Sequence, residues 1–94
     1  MIKREILSAK GSLMLVRVEL QEGFISNIDQ HPEEQMSYIE KGTVEFEVDG
    51  VKTVLNQGDV LHIDSDKAHQ VRVIEDCVIL DTFNPIREDL LSKK

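Results

Sequence analysis

A chain of 94 residues carries 18 acidic against 11 basic side chains, a formal net charge of −7. That length holds one domain with a modest core, and a 40% hydrophobic fraction is that of a folded chain, not a disordered one. The acidic balance speaks against a surface for nucleic acid or for an anionic membrane, and otherwise it is the charge of a soluble protein.

The N-terminal residues include Lys3 and Arg4 but no apolar stretch of signal-peptide length. The longest apolar runs, residues 13–16 and 77–80, fall far short of a membrane span. A cytoplasmic protein is the expectation. Residues 13–20 alternate, with Met14, Val16, Val18 and Leu20 on one face. Residues 43–48 alternate as well: Val44, Phe46 and Val48 oppose Thr43, Glu45 and Glu47, the pattern of a half-buried strand. Asp49-Gly50 then predicts a tight hairpin turn. Further short strands are predicted over residues 52–55, 59–63, 69–74 and 77–83, punctuated by Gly23, Gly42, Gly50 and Gly58. Many short strands between turn signals predict an all-β sandwich or barrel. The C-terminus is the exception. Asn84 can cap, Pro85 suits a first helical position, and acids precede Lys93 and Lys94, so one short helix or turn is predicted over residues 85–92. The single cysteine, Cys77, lies in an apolar strand and reads as a small core residue.

Chemistry concentrates in residues 23–35. Asp29, His31, Glu33 and Gln35 alternate, so an extended chain projects them to one face. Imidazole nitrogen with carboxylate and amide oxygens can hold a divalent ion; a solvated polar strand face gives the same pattern. Glu33 and Glu34 read as a solvated rim, although Glu33 shares the ligand face. His62 reads as structural, and Tyr38 as a barrel residue with its hydroxyl near polar groups. Asp81 interrupts the apolar face of Cys77, Ile79 and Phe83. A carboxylate there needs a partner or a role; the plain alternative is a strand-end Asp bonding loop amides.

The spacing Gly23-x5-Asp29-x-His31-x3-Gln35-x6-Gly42 resembles the first motif of the cupin superfamily, Gly-x5-His-x-His-x3-Glu-x6-Gly. The second cupin motif, Gly-x5-Pro-x-Gly-x2-His-x3-Asn, aligns with Gly58-x5-Asp64-x-Asp66-x2-His69-x3-Val73, where only Gly58 and His69 match. The resemblance implies a cupin double-stranded β-helix, a jelly-roll barrel, over a single domain of residues 1–94. A narrower resemblance, to the KdgF cupins of pectin degradation, rests on residues 31–35, Tyr38-Ile39, Gly42, Glu45-Phe46, Glu75-Asp76 and residues 80–89. In those cupins Gln stands at the fourth ligand position, so Gln35 matches, whereas His is usual where this chain has Asp29 and Glu33.

This resemblance implies a divalent metal ion (Ni, Zn, Mn or Fe) held by Asp29, His31, Gln35 and His69. It also implies an Asp-x-Phe-x3-Arg catalytic set of Asp81, Phe83 and Arg87. Asp81 would move a proton, Phe83 would pack on a sugar ring or simply in the core, and Arg87 would hold a substrate carboxylate or pair with Glu88 or Asp89. The implied reaction is the opening of a 4,5-unsaturated uronate, a small anionic sugar, to a linear keto-deoxyuronate. A cupin that binds a metal or small ligand without turnover is the alternative, and an oxygen-dependent cupin dioxygenase a third. Edge strands near the N-terminus, with the habit of similar cupins, point to a homodimer.

Overall fold

The structure, a computed structural model, describes residues 2–91. In chain order it has β1 (Ile2–Lys10), β2 (Leu13–Leu20), β3 (Glu34–Val48), β4 (Val51–Asn56), β5 (Val60–Ile63), β6 (His69–Asn84) and α1 (Glu88–Leu91). The strands pair antiparallel in the order β1-β2-β6-β3-β4, with β5 also on β3. The all-β jelly-roll barrel expected from the sequence is present, with its short C-terminal helix.

Local sequence explains most of this. In β2 the alternating set Met14, Val16, Val18 and Leu20 is buried, each apolar side chain stabilising by roughly 1.5–3 kcal/mol. Asp49 and Gly50 turn β3 into β4 with positive φ at both residues, 50° and 82°, as a tight hairpin requires. Phe46, Met14, Ile39, Ile63, Val16 and Val44 fill the barrel, and Cys77 packs among them.

Two strands, β3 and β6, run far beyond the ranges that the sequence pattern predicts. β3 starts at Glu34, and β6 joins the two segments expected over 69–74 and 77–83. The polar Glu75-Asp76 pair reads as a break, but it is a bend in a paired strand. From the Ile39–Ile79 pair to the Val44–Val73 pair, β3 advances five positions and β6 six. That mismatch moves the inward set of β3 from Gln35, Ser37 and Ile39 to Val44 and Phe46. Gly42 sits in the bend at φ 86°, where a Cβ would lie 2.1 Å from the Asp76 carbonyl oxygen.

The C-terminal helix is present and begins later than expected, at Glu88. Asn84 ends β6 instead of capping, and Pro85 lies before the helix. Lys93 and Lys94 lie outside the described residues. Tyr38 faces outward, 41% exposed. His62 is also exposed and bonds Glu34 across the outer sheet face.

Candidate functional site

The loop of residues 23–33 crosses the start of β6 and is stitched to it. Asp29 N–H donates to His69 O at 2.8 Å and His69 N–H donates to Asp29 O at 2.9 Å. This pairing brings Asp29 and His69 side by side although 40 residues separate them in sequence. His31 closes the same loop, and Gln35 enters β3 opposite Phe83.

Both histidines are oriented by the backbone. His31 Nδ1–H donates to Glu33 O at 2.9 Å, and His69 Nδ1–H donates to Lys67 O at 2.8 Å. Each Nε2 therefore presents a lone pair, the arrangement by which metal-binding histidines are held. The rings meet edge to face, 5.1 Å between centroids. Gln35 is fixed through its other end: Nε2 donates to Ser37 Oγ at 3.0 Å and to Asp81 Oδ1 at 3.3 Å. Its Oε1 consequently faces His31 Nε2 at 3.1 Å. Two acceptors at that distance repel unless a proton or a cation lies between them. Asp29 Oδ2 is 4.0 Å from His31 Nε2, and the ligand atoms of Asp29, His31 and His69 lie within 4.8 Å of one another. The four residues that the cupin resemblance implies as ligands thus come together, and this nitrogen–oxygen donor set fits a divalent cation. Burial depresses the His69 pKa, which keeps its imidazole neutral and able to donate a lone pair.

Glu33 is not a solvated rim residue. It folds behind His31, with Oε1 buried, lacking a hydrogen bond and 3.4 Å from Nδ1. Glu34 is the exposed one of the pair and serves His62.

Asp81 reaches the same cluster from β6. Ser37 Oγ–H donates to its Oδ1 at 2.5 Å. Burial pushes the Asp81 carboxyl up to about 6 from the usual 3.8, against the opposing pull of the Ser37 and Gln35 hydrogen bonds. Phe83 is buried, with its ring 5.6 Å from that of His31 and the Arg87 guanidinium 5.1 Å over its face. Arg87 is buried too, and three of its nitrogens meet carboxylates. Nε and Nη2 donate to Asp89 at 3.2 and 2.7 Å, and Nη1 donates to Asp29 Oδ2 at 3.2 Å. Burial works against its charge, but Asp89 and Asp29 outweigh it and hold the guanidinium ionised. The pair with Asp89 is present, therefore, between a buried guanidinium and an exposed carboxylate. Burial also pushes the Cys77 thiol up to about 11, which leaves it inert as a nucleophile.

Asp29, Gln35, His69, Asp81, Phe83 and Arg87 line one cavity of about 350 Å³, closed on its other side by apolar residues of β2. Two residues here escaped the sequence reading. Ser37 carries the signal of alternation with Gln35 on β3. Arg4, from β1, carries alternation with Ile2 and Ile6. No helix among the described residues is long and apolar enough to cross a membrane.

Comparison with known proteins agrees with this geometry. A cupin domain model matches residues 16–83. The pectin degradation protein KdgF of Dickeya dadantii is 34% identical over 92 residues, spanning 96% of this chain and 84% of its own. The structure of KdgF from a Halomonas species gives a TM-score of 0.90 at 31% identity, covering 95% of this chain and 83% of that one. An RmlC-like cupin from Shewanella frigidimarina gives 0.90 and 31%, covering 95% and 80%. The chain belongs to the cupin family, and over nearly its whole length it is similar to KdgF.

Proposed function

We propose that this cupin is a metal-dependent enzyme that opens the ring of 4,5-unsaturated uronates, giving linear keto-deoxyuronates. The observation that carries the reading is Asp81: a part-buried carboxyl facing the cavity, hydrogen-bonded to Gln35 of the metal set, in a chain similar to KdgF. The reaction is an isomerisation. The anomeric hydroxyl loses a proton, the bond from C1 to the ring oxygen breaks, and the resulting enol becomes a ketone by taking a proton at C4.

Asp29, His31, Gln35 and His69 would hold the divalent ion, which when bound supplies Lewis acidity toward a substrate oxygen. Asp81 holds and moves the proton. With a pKa near 6 it exchanges protons readily at neutral pH, and Ser37 fixes its direction. Phe83 packs beneath Arg87 and walls the pocket. Arg87 positions Asp29. The test follows loss of the unsaturated uronate's ultraviolet absorbance above its spontaneous rate. Asp81→Ala is expected to lower kcat at least about a hundredfold; unchanged activity removes the proton-transfer role.

A second reading, a cupin that binds without turnover, is favoured by one contact. Asp29, standing where KdgF cupins usually have His, shares its Oδ2 with Arg87. A purified protein that takes up none of Ni, Zn, Mn or Fe at micromolar levels would favour neither metal chemistry nor the enzyme. We also read the protein as a cytoplasmic homodimer formed by pairing of its β1 edge with that of a second copy. Light scattering is expected to return twice the chain mass.

A further inference from the structure

We propose that Arg4 is the carboxylate-binding residue of the pocket, the side chain that takes up the acid group of a sugar-acid ligand. The proposal rests on the uronate reading above and adds the residue that selects for the acid. Two arginines and no lysine line the cavity. Arg87 is already committed. Its Nε, Nη1 and Nη2 already donate to Asp89 and Asp29, so its fork is taken up by the protein's own carboxylates. Arg4 makes no hydrogen bond or ion pair among the described residues.

Strand register aims Arg4 at the cavity. Ile2 pairs with Leu20, Arg4 with Val18 and Ile6 with Val16. Residues directly opposite in an antiparallel pair share a face. Val18 and Leu20 are buried and line the cavity, so Arg4 and Ile2 extend that inner wall toward solvent. Along the same sheet Val16 pairs with Asp81, one strand further in. Arg4 and Asp81 thus share the inner face with β2 between them. The Arg4 charge is felt there, partly offsetting the effect of burial on Asp81.

Arg4 is itself exposed, so its guanidinium stands at the mouth, free to close over an entering anion. A planar guanidinium meets a carboxylate with two parallel hydrogen bonds, which no other side chain offers. On a chain of net charge −7 such a local cation is what an anionic ligand needs. A ligand bound this way spans from Arg4 at the rim to Asp81 inside.

The test compares wild type, Arg4→Gln and Arg4→Lys. Binding of galacturonate, a saturated uronate that cannot undergo the reaction, is measured by calorimetry, with galactose as the uncharged control. Arg4→Gln is expected to weaken galacturonate roughly tenfold or more and to leave galactose unchanged. Arg4→Lys, a point charge without the fork, is expected to keep part of the affinity. With the unsaturated uronate, KM is expected to rise in Arg4→Gln while kcat changes by less than about threefold. Galacturonate bound equally by wild type and Arg4→Gln overturns the assignment. So does a wild type that does not prefer galacturonate to galactose. Absence of turnover by the wild type would end the proposed function alone, since galacturonate binding still decides the case of Arg4.

Discussion

Asp81 is where packing and chemistry disagree, and the disagreement is measurable. Its folded pKa of about 6 lies above the ordinary 3.8, so the native state prefers the protonated form. Ionisation therefore costs stability progressively from pH 3.8 to 6, and the full cost stands above pH 6. At 1.36 kcal/mol per pKa unit this amounts to up to about 3 kcal/mol. Asp81→Asn removes the charge and keeps the shape. In chelator-treated protein it is expected to raise the melting temperature at pH 7.5 by several degrees, and to change it little at pH 3.5. Calorimetric melting at the two pH values checks this. A variant less stable than wild type at pH 7.5 would show that the carboxylate is a net structural asset. The same residue shows what sequence conveys about a site. Asp81 stands out because it breaks an apolar alternation, and His31 and His69 stand out through the resemblance to the cupin motifs. The partners do not. Arg87 finds Asp29 58 positions away, and Arg4 reaches the pocket only because of how β1 registers on β2. Those are consequences of strand pairing, which local pattern does not encode.

At the scale of elements, the bend of β3 and β6 decides which side chains reach the pocket. Gln35 and Ser37 face inward on odd positions and Phe46 on an even one because the register slips between them. Short alternating runs are legible in sequence, as β2 and the β3–β4 hairpin demonstrate. Continuity through a polar stretch is not. Gly42 and Glu75-Asp76 look like breaks, yet the two strands stay paired on either side of them. Helix signals mislead at residues 84–87 for a related reason: cap and proline preferences are satisfied locally while β6 carries the chain extended through Asn84. Gly42→Ala tests the bend. Its Cβ would meet the Asp76 backbone at 2.1 Å and its φ is positive, so a loss of more than about 2 kcal/mol is expected. Gly23→Ala is the control. Its φ is also positive, at 87°, but nothing lies within 4 Å, so only the backbone strain of about 1 kcal/mol remains. Urea unfolding of both variants reads the difference. Equal losses would mean that the close approach to Asp76 yields at little cost.

At the scale of the molecule, the acidic surplus and the site make opposite demands. A net charge of −7 repels an anionic sugar at long range, so any attraction must be generated inside the pocket. Arg4 supplies one positive charge there, and a divalent ion would supply the other. The acidic surface also concentrates any cation weakly, so uptake alone proves little, and stability is the sharper probe. His31 Nε2 and Gln35 Oε1 face each other at 3.1 Å, and Asp29 adds a carboxylate to the cluster. A cation bound among them relieves that repulsion only in the folded state. At a hundred times its dissociation constant such an ion adds about 2.7 kcal/mol. For a domain of this size that raises the melting temperature by roughly 10–20 °C. Thermal melts of chelator-treated protein, with Ni, Zn, Mn and Fe(II) added singly, are expected to show that rise for at least one metal. Magnesium at the same concentration is expected to do little, because it prefers an all-oxygen shell. His69→Ala should abolish the rise and leave the weak surface effect. Equal small shifts with every divalent ion, magnesium included, would reduce metal binding to general screening of an acidic surface. The lone pairs facing each other in the pocket would then have to be reconciled by a proton on His31.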